Sequence, residues 1–473
     1  MTQKLNFLIN CIIIICLLYQ IECKIVTNLC EKPINNPVTE SQSFCECVTE
    51  NSLRWGELVL VINCAEKSLK SEDFRANILP NFTVSLDLSY NQFKELPLLE
   101  GDELSFLDAS YNEIEKLVEN NFARISNLVH LDLSNNHLAE IDKNSFSALS
   151  KLTELNLANN MLHILPEQLF SPLQSLSFLT LSGNIGLNET FSQVGIDLFL
   201  KLGVTPTLNK LEIERCNLTR IDLGRGSWLS EVYLANNLIT NLKEMPSRIR
   251  ILDFSNNNIE RLSELFFSEM INLEMILLQD MPELTTVEAK SFFPLLNLKH
   301  VSIRGSKKLT YIDAEAFGPV TGDSKLPSLD ILNLQGTKLT SLNESLYALL
   351  KDTKAIDLNG VPLECDCHLR WIKKLAVETN GQCRSPKHLR GVLLSGVPEK
   401  NFECRLFPKW VYTSINGVLI LVVLILCSLA VWFVTMKLKR TTDNRHKTNV
   451  HSSSPYAPIT MATNVRESNS PYY

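Results

Sequence analysis

The chain has 473 residues, of which 45% are hydrophobic and 21% charged, with a formal net charge of −7. That apolar content can bury a large core, which excludes a disordered or low-complexity protein. The acidic balance argues against a nucleic-acid partner, because an acidic surface repels phosphate backbones.

At the N-terminus, LNFLINCIIIICLL (Leu5–Leu18) follows Lys4 and precedes the polar stretch Gln20–Lys24. The apolar run is shorter than the roughly 20 residues a spanning helix needs, so residues 1–23 read as a secretory signal peptide cleaved after Cys23. An uncleaved anchor is the alternative. Beyond it, Cys30, Cys45, Cys47 and Cys64 form a C-x-C pair flanked by two outer cysteines.

From there a motif of the form Leu-x-x-Leu-x-Leu-x-x-Asn recurs. Its clearest copies are LVHLDLSNN (Leu128–Asn136), LTELNLANN (Leu152–Asn160) and LSFLTLSGN (Leu176–Asn184), whose asparagines lie 24 residues apart. A fixed period of this size marks a solenoid, in which each unit buries its apolar side against its neighbours. Twelve units are counted by the central apolar position: Leu86, Leu107, Leu131, Leu155, Leu179, Leu211, Val232, Leu252, Ile276, Val301, Leu332 and Ile356. Alternation predicts a short strand per unit, with residues such as Leu131 and Leu133 inward and His130, Asp132 and Ser134 outward. Stacked, the strands form a curved parallel sheet.

The repeated asparagine can both donate and accept, so it can satisfy backbone groups where the chain leaves each strand. Asn91, Asn112, Asn136, Asn160, Asn184, Asn237 and Asn257 fill this position, and Cys216, Met281, Ser306, Thr337 and Val361 replace it elsewhere. Two spacings are long, 32 residues from Leu179 to Leu211 and 31 from Val301 to Leu332. The extra residues, Asn188–Gly203 and Gly318–Pro327, must leave the array as loops or a short helix.

After the repeats, ECDCHLRWIKKL (Glu364–Leu375) with Cys383 and Cys404 repeats the C-x-C pattern. Four cysteines at each end allow three connectivities each. Zinc is the rival use of paired C-x-C motifs, but a secretory chain favours oxidation, and no metal site is expected. Val411–Met436 is an uncharged run of 26 residues, long enough to cross a bilayer, with Trp410, Tyr412 and Trp432 near its ends. Lys437, Lys439 and Arg440 follow, placing the C-terminus in the cytoplasm and the N-terminus outside. The tail, 437–473, is rich in Ser, Thr, Asn and Pro and is expected to be disordered. Its YAPI (Tyr456–Ile459) has the form of a signal for an endocytic adaptor or of a phosphotyrosine dock.

The repeats and their cysteine flanks, from about Cys30 to Cys404, resemble the extracellular leucine-rich repeat family of single-pass transmembrane proteins with cysteine-rich caps. The resemblance implies an α/β repeat solenoid with disulfide caps and one transmembrane helix. The implied pairing is Cys30 with Cys47, Cys45 with Cys64, Cys365 with Cys383, and Cys367 with Cys404. The expected organisation is a signal peptide (1–23), an N-terminal cap (24–80), repeats (81–361), a C-terminal cap (362–405), a transmembrane helix (411–436) and the tail. Toll-type receptors share the ectodomain family but carry a large cytoplasmic signalling domain. A tail this short is not expected to signal in that way.

A solenoid's inner face is the expected docking surface for a protein partner. Its N-terminal half shows Asp87, Asp108 and Asp132 with Phe106, His130 and Phe178 beside them, and its C-terminal half Tyr233, Ile251, Met275, Leu277 and Ile331. Gathered exposed apolar residues often mark an interface, so Tyr233, Ile251, Met275, Leu277, Ile331, Phe106 and Phe178 are the candidate partner-binding residues. The competing reading of the acidic row is that Asp is simply common at that repeat position. Sequons at Asn81, Asn188, Asn217 and Asn343 all precede the membrane segment and none falls on an outward strand position. No nucleotide-binding loop, metalloprotease motif or nucleophile elbow is present, and no cofactor is expected. Ser110, His130 and Asp132 could approach one another, yet nothing suggests an oxyanion site, so an ectoenzyme is the disfavoured alternative. The expected function is a plasma-membrane receptor-like glycoprotein in cell adhesion or recognition, binding an extracellular or membrane protein. A regulatory co-receptor that modulates the signalling or endocytosis of another membrane receptor is the alternative.

Overall fold

The computed structural model describes residues 45–51, 58–71, 79–191, 197–224, 228–242, 245–319, 325–402, 404 and 409–447. The expected signal peptide, Cys30 and the Tyr456–Ile459 motif lie outside the described residues. The chain divides into two compact units, Met1–Glu403 and Cys404–Tyr473, which are taken separately.

One 14-stranded sheet runs through the first unit. The expected apolar positions stand in a single row, Leu86 opposite Leu107, Leu107 opposite Leu131, and so on to Leu332 opposite Ile356. All of them are buried, and each contributes on the order of 1.5 to 3 kcal/mol by removal from water. The row begins one turn earlier than the motif count. Leu58–Asn63 pairs parallel with Thr83–Asp87 and sets Ile62 opposite Leu86, which makes a thirteenth row. Glu46–Asn51 then pairs antiparallel with Leu58–Asn63. The described part of the expected N-terminal cap is therefore a β-ribbon continuous with the sheet. The motif is hidden there because Lys67 stands where later turns carry the asparagine. Its N–H donates to Asn91 Oδ1 at 3.1 Å.

Each asparagine binds across one turn. Asn112 Nδ2 donates to the Leu88 carbonyl of the preceding turn at 2.9 Å, and its Oδ1 accepts from Phe93 N–H at 3.1 Å. Asn160 and Asn257 repeat the pattern with Leu133 and Leu234. Cys216 keeps the donor half, its thiol lying 3.4 Å from the Leu181 carbonyl, and burial pushes that thiol up to about 11. Ser306 Oγ donates to Leu278 O at 3.2 Å and accepts from Met281 N–H. The residue before each asparagine position adopts left-handed φ, as at Asn135 (55°), Asn159 (54°), Gly183 (80°) and Tyr111 (53°). That explains the enrichment of Asn and Gly there.

Opposite the main sheet, buried phenylalanines stack in two runs. Phe122, Phe146 and Phe170 form one, at centroid spacings of 6.0 and 6.4 Å, and Phe267, Phe292 and Phe317 the other, at 5.6 and 4.8 Å. The gap between the runs contains the first long insertion. It forms the short helices Asn188–Phe191 and Leu198–Leu202, the second capped by the Asp197 side chain and closed by Gly203. Phe191 is buried within it.

Disulfides join Cys45 to Cys64 and Cys365 to Cys383, and Cys47, Cys367 and Cys404 are each disulfide-bonded as well. These C-x-C motifs are thus oxidised and offer no thiolate ligands. Trp371 covers the C-terminal end of the array, buried, with Nε1 donating to Leu342 O at 3.1 Å. Among the described residues no strand of the main sheet follows Ala355–Asp357 to take up the amide of Leu358, and Asn380 Oδ1 accepts it at 2.7 Å. This side chain blunts an edge that would otherwise invite further pairing.

In the second unit, Lys409–Lys447 is one helix, which extends beyond the expected 411–436 at both ends. Its stretch Thr413–Arg440 contains an 18-residue window of mean hydropathy 3.0 and is long and apolar enough to cross a membrane. Ser428 and Thr435 donate back to the Ile425 and Trp432 carbonyls, which satisfies both hydroxyls within the helix.

Candidate partner-binding face

The first and third residues of each three-residue strand project from the open face of the sheet, because the central one is committed to the core. Three zones follow one another along that face.

In the first, the Phe106 and His130 rings stack at 4.6 Å, and His130 Nδ1 lies 2.8 Å from Glu154 Oε2. Asp108 and Asp132 occupy the third strand position, where each accepts from the backbone N–H two residues on, Ser110 and Ser134. Burial raises the Asp108 carboxyl, the Ser110 hydrogen bonds oppose the shift, and the like charges of Asp132 and Asp87 add to it. His130 pairs with Glu154, and Asp132 is engaged by Ser134 and Asn156, so Ser110, His130 and Asp132 form no proton relay.

The second zone is centred on Lys210. Its ammonium lies 4.3 Å from the Phe178 ring centroid and 5.0 Å from that of Tyr233, and it pairs with Glu212 at 2.8 Å. Tyr233 Oη donates to Glu231 Oε2 at 3.2 Å, and burial together with that carboxylate pushes its phenol up to about 12. Phe178 and Tyr233, assigned from the sequence to different halves of the face, are thus joined through a lysine that the sequence reading passed over. The 32-residue step between Leu179 and Leu211 hid the adjacency.

The third zone is a shallow depression of about 470 Å³ with Ile251, Met275, His300 and Ile331 among its lining residues. Its rim is a chain of ion pairs. Arg250 and Lys299 reach Glu274 at 2.6 and 3.0 Å, and Lys354 reaches Asp330 at 2.8 Å. The hydrogen bonds from Arg250 and then Lys299 pull the Glu274 carboxyl down to about 2. Burial alone lowers His300. Of the sequence candidates, Ile251, Met275 and Ile331 line this depression. Tyr233 and Leu277 lie in the neighbouring row, with Asp253 between them, and Phe106 belongs to the first zone. Arg250, Lys299, His300 and Asp330 were missed, although all sit at or just before the first strand position.

Of the sequon asparagines, Asn81, Asn217 and Asn343 are exposed, and Asn188 is half-buried with Oδ1 accepting from Thr219 N–H at 3.3 Å. None lies in a strand of the main sheet.

Residues 126–185 match the family model described as leucine rich repeat, and residues 236–352 match that of the BspA type leucine rich repeat region. Leucine-rich repeat and fibronectin type-III domain-containing protein 4 of Rattus norvegicus is 33% identical over 92 residues, 17% of this chain and 14% of that protein. Its Mus musculus counterpart matches to the same extent, so the aligned region spans a small part of either relative. Among solved structures, a chain of the octameric complex of Latrophilin 3, Unc5D and FLRT2 (LRR) is similar, with a TM-score of 0.50 and 20% identity over 76% of this chain and 99% of that one. That likeness is one of fold. The two family-model matches and the stacked parallel strands together give the chain a leucine-rich repeat fold.

Proposed function

We propose that this protein is a single-pass, receptor-like cell-surface glycoprotein that binds a protein partner on the open face of its solenoid, in cell adhesion or recognition. The observation that carries the reading is the third zone, an apolar floor of Ile251, Met275 and Ile331 inside a rim of ion pairs. An apolar centre with a polar rim is the make-up of a protein interface. The curved sheet supplies the extended surface on which such scaffolds dock proteins, and the similar fold in the octameric complex occurs within a protein assembly. The helix Thr413–Arg440 supports membrane anchorage, and the basic residues after it support an outward-facing solenoid. The exposed sequons agree with that placement.

The test uses the full chain on cells. Proximity labelling from the surface identifies the partner, and Met275→Glu combined with Ile331→Glu should abolish its capture while surface delivery stays unchanged. Unchanged capture would refute this docking site. Clustering of expressing cells supports adhesion, whereas co-purification with a membrane protein of the same cell without clustering supports the regulatory co-receptor instead.

A further inference from the structure

The first unit carries one surface of opposite character to its acidic balance. Between Glu378 and Glu399 the chain contains no Asp or Glu, but it contains Arg384, Lys387, His388 and Arg390 within seven residues. All four are exposed. Among the described residues their side chains make no ion pair or hydrogen bond, whereas the neighbouring cations are engaged by the fold. Arg370 donates to Phe402 O, Lys373 to Leu394 O and Ser395 O, and Lys374 to Glu344.

The backbone beneath the four is well tied. Cys383 N–H donates to Val392 O at 2.9 Å and Gly391 N–H to Cys383 O at 2.8 Å. Cys365 N–H donates to Ser385 O at 2.8 Å, and Cys383 is disulfide-bonded to Cys365. Leu389, in the middle of the run, is buried and anchors the loop to the core. The cations Arg384, Lys387 and Arg390 therefore stand on a fixed loop spanning at most about 20 Å. Like charges held together repel one another, and among the described residues no carboxylate pairs with these side chains.

We propose that this loop is a binding site for a sulfated glycosaminoglycan chain. A linear polyanion matches a linear run of cations by charge complementarity, and releasing its counterions drives binding. The inference rests on the extracellular placement proposed above, where anionic lipid is scarce because it concentrates in the cytoplasmic leaflet.

The test passes the full chain, in detergent micelles, over immobilised heparin in a salt gradient. Retention should be reversed by soluble heparin and not by desulfated heparin. The variant Arg384→Ser, Lys387→Ser, Arg390→Ser should bind about tenfold more weakly or worse, with a shallower salt dependence. The variant Lys116→Ser, Lys143→Ser, Lys307→Ser removes the same charge from other exposed sites and should bind as the native protein does. Failure of the native protein to be retained would overturn the site. So would equal loss in both variants, or preference for phosphatidylserine vesicles or polyglutamate over heparin. An epitope inserted after Gly391 should be stained on intact cells. If it is hidden while heparin retention persists, the extracellular placement is what fails.

Discussion

Asn136 donates through Nδ2 to the Ala109 carbonyl of the preceding turn at 2.9 Å, while its Oδ1 accepts from the Ile114 N–H at 3.0 Å. One side chain thus satisfies buried backbone groups on a turn it does not belong to, so the asparagine row couples neighbouring turns.

Asn136→Ala should therefore destabilise the solenoid by about 2 to 4 kcal/mol, since a buried carbonyl and a buried amide each lose their partner. Asn136→Cys should lie between the two, because the thiol of Cys216 keeps the donor half of the same contact. Urea denaturation followed by circular dichroism measures this, and an alanine variant as stable as the native protein would contradict the role.

Gly183 has a φ of 80°, and a Cβ there would collide with the Asn159 side chain, whereas Gly391, at 81°, has nothing within 4 Å. Gly183→Ala should cost about 1 to 3 kcal/mol and more than Gly391→Ala, which bears only the backbone penalty. Equal melting points for the two variants would count against the close approach.

The Glu274 carboxyl is held at about 2, below its ordinary 4.5. A depressed folded value stabilises above the unfolded pKa and loses that contribution as pH falls through the folded one. The stability difference between native protein and Glu274→Gln should then be full above about pH 4.5 and shrink towards about pH 2. A difference that stays constant across this window would show that the two ion pairs do not stabilise the fold.

His300 is lowered by burial alone, and a partner seated on the depression would bury it further. Binding then favours neutral imidazole, so affinity should fall, by about three- to tenfold, between about pH 7 and about pH 5.5. His300→Asn should remove that dependence while retaining binding at neutral pH. A native profile that is flat in surface plasmon resonance would place the partner elsewhere.

Much of the architecture was legible in the chain because its cause is local. Leu131 and Leu155 declare themselves by a period that every turn repeats, and Asn136 and Asn160 by the need to satisfy the same turn. The thirteenth row was not legible, since Lys67 replaces the asparagine that would have announced it. The phenylalanine stacks were likewise unread, because Phe146 and Phe170 lie outside the strand motif.

The sequence by itself determined the solenoid, the positions that enter its core and an apolar helix long enough for a bilayer. These depend on residues a fixed number of steps apart. Only the tertiary structure decided which outward side chains are available to a partner. Lys210 meets Phe178 and Tyr233, and Glu274 meets Arg250 and Lys299, through contacts between neighbouring turns. Outward positions share the period of the core row but not its residue type, so which side chains meet is decided only once the turns have stacked.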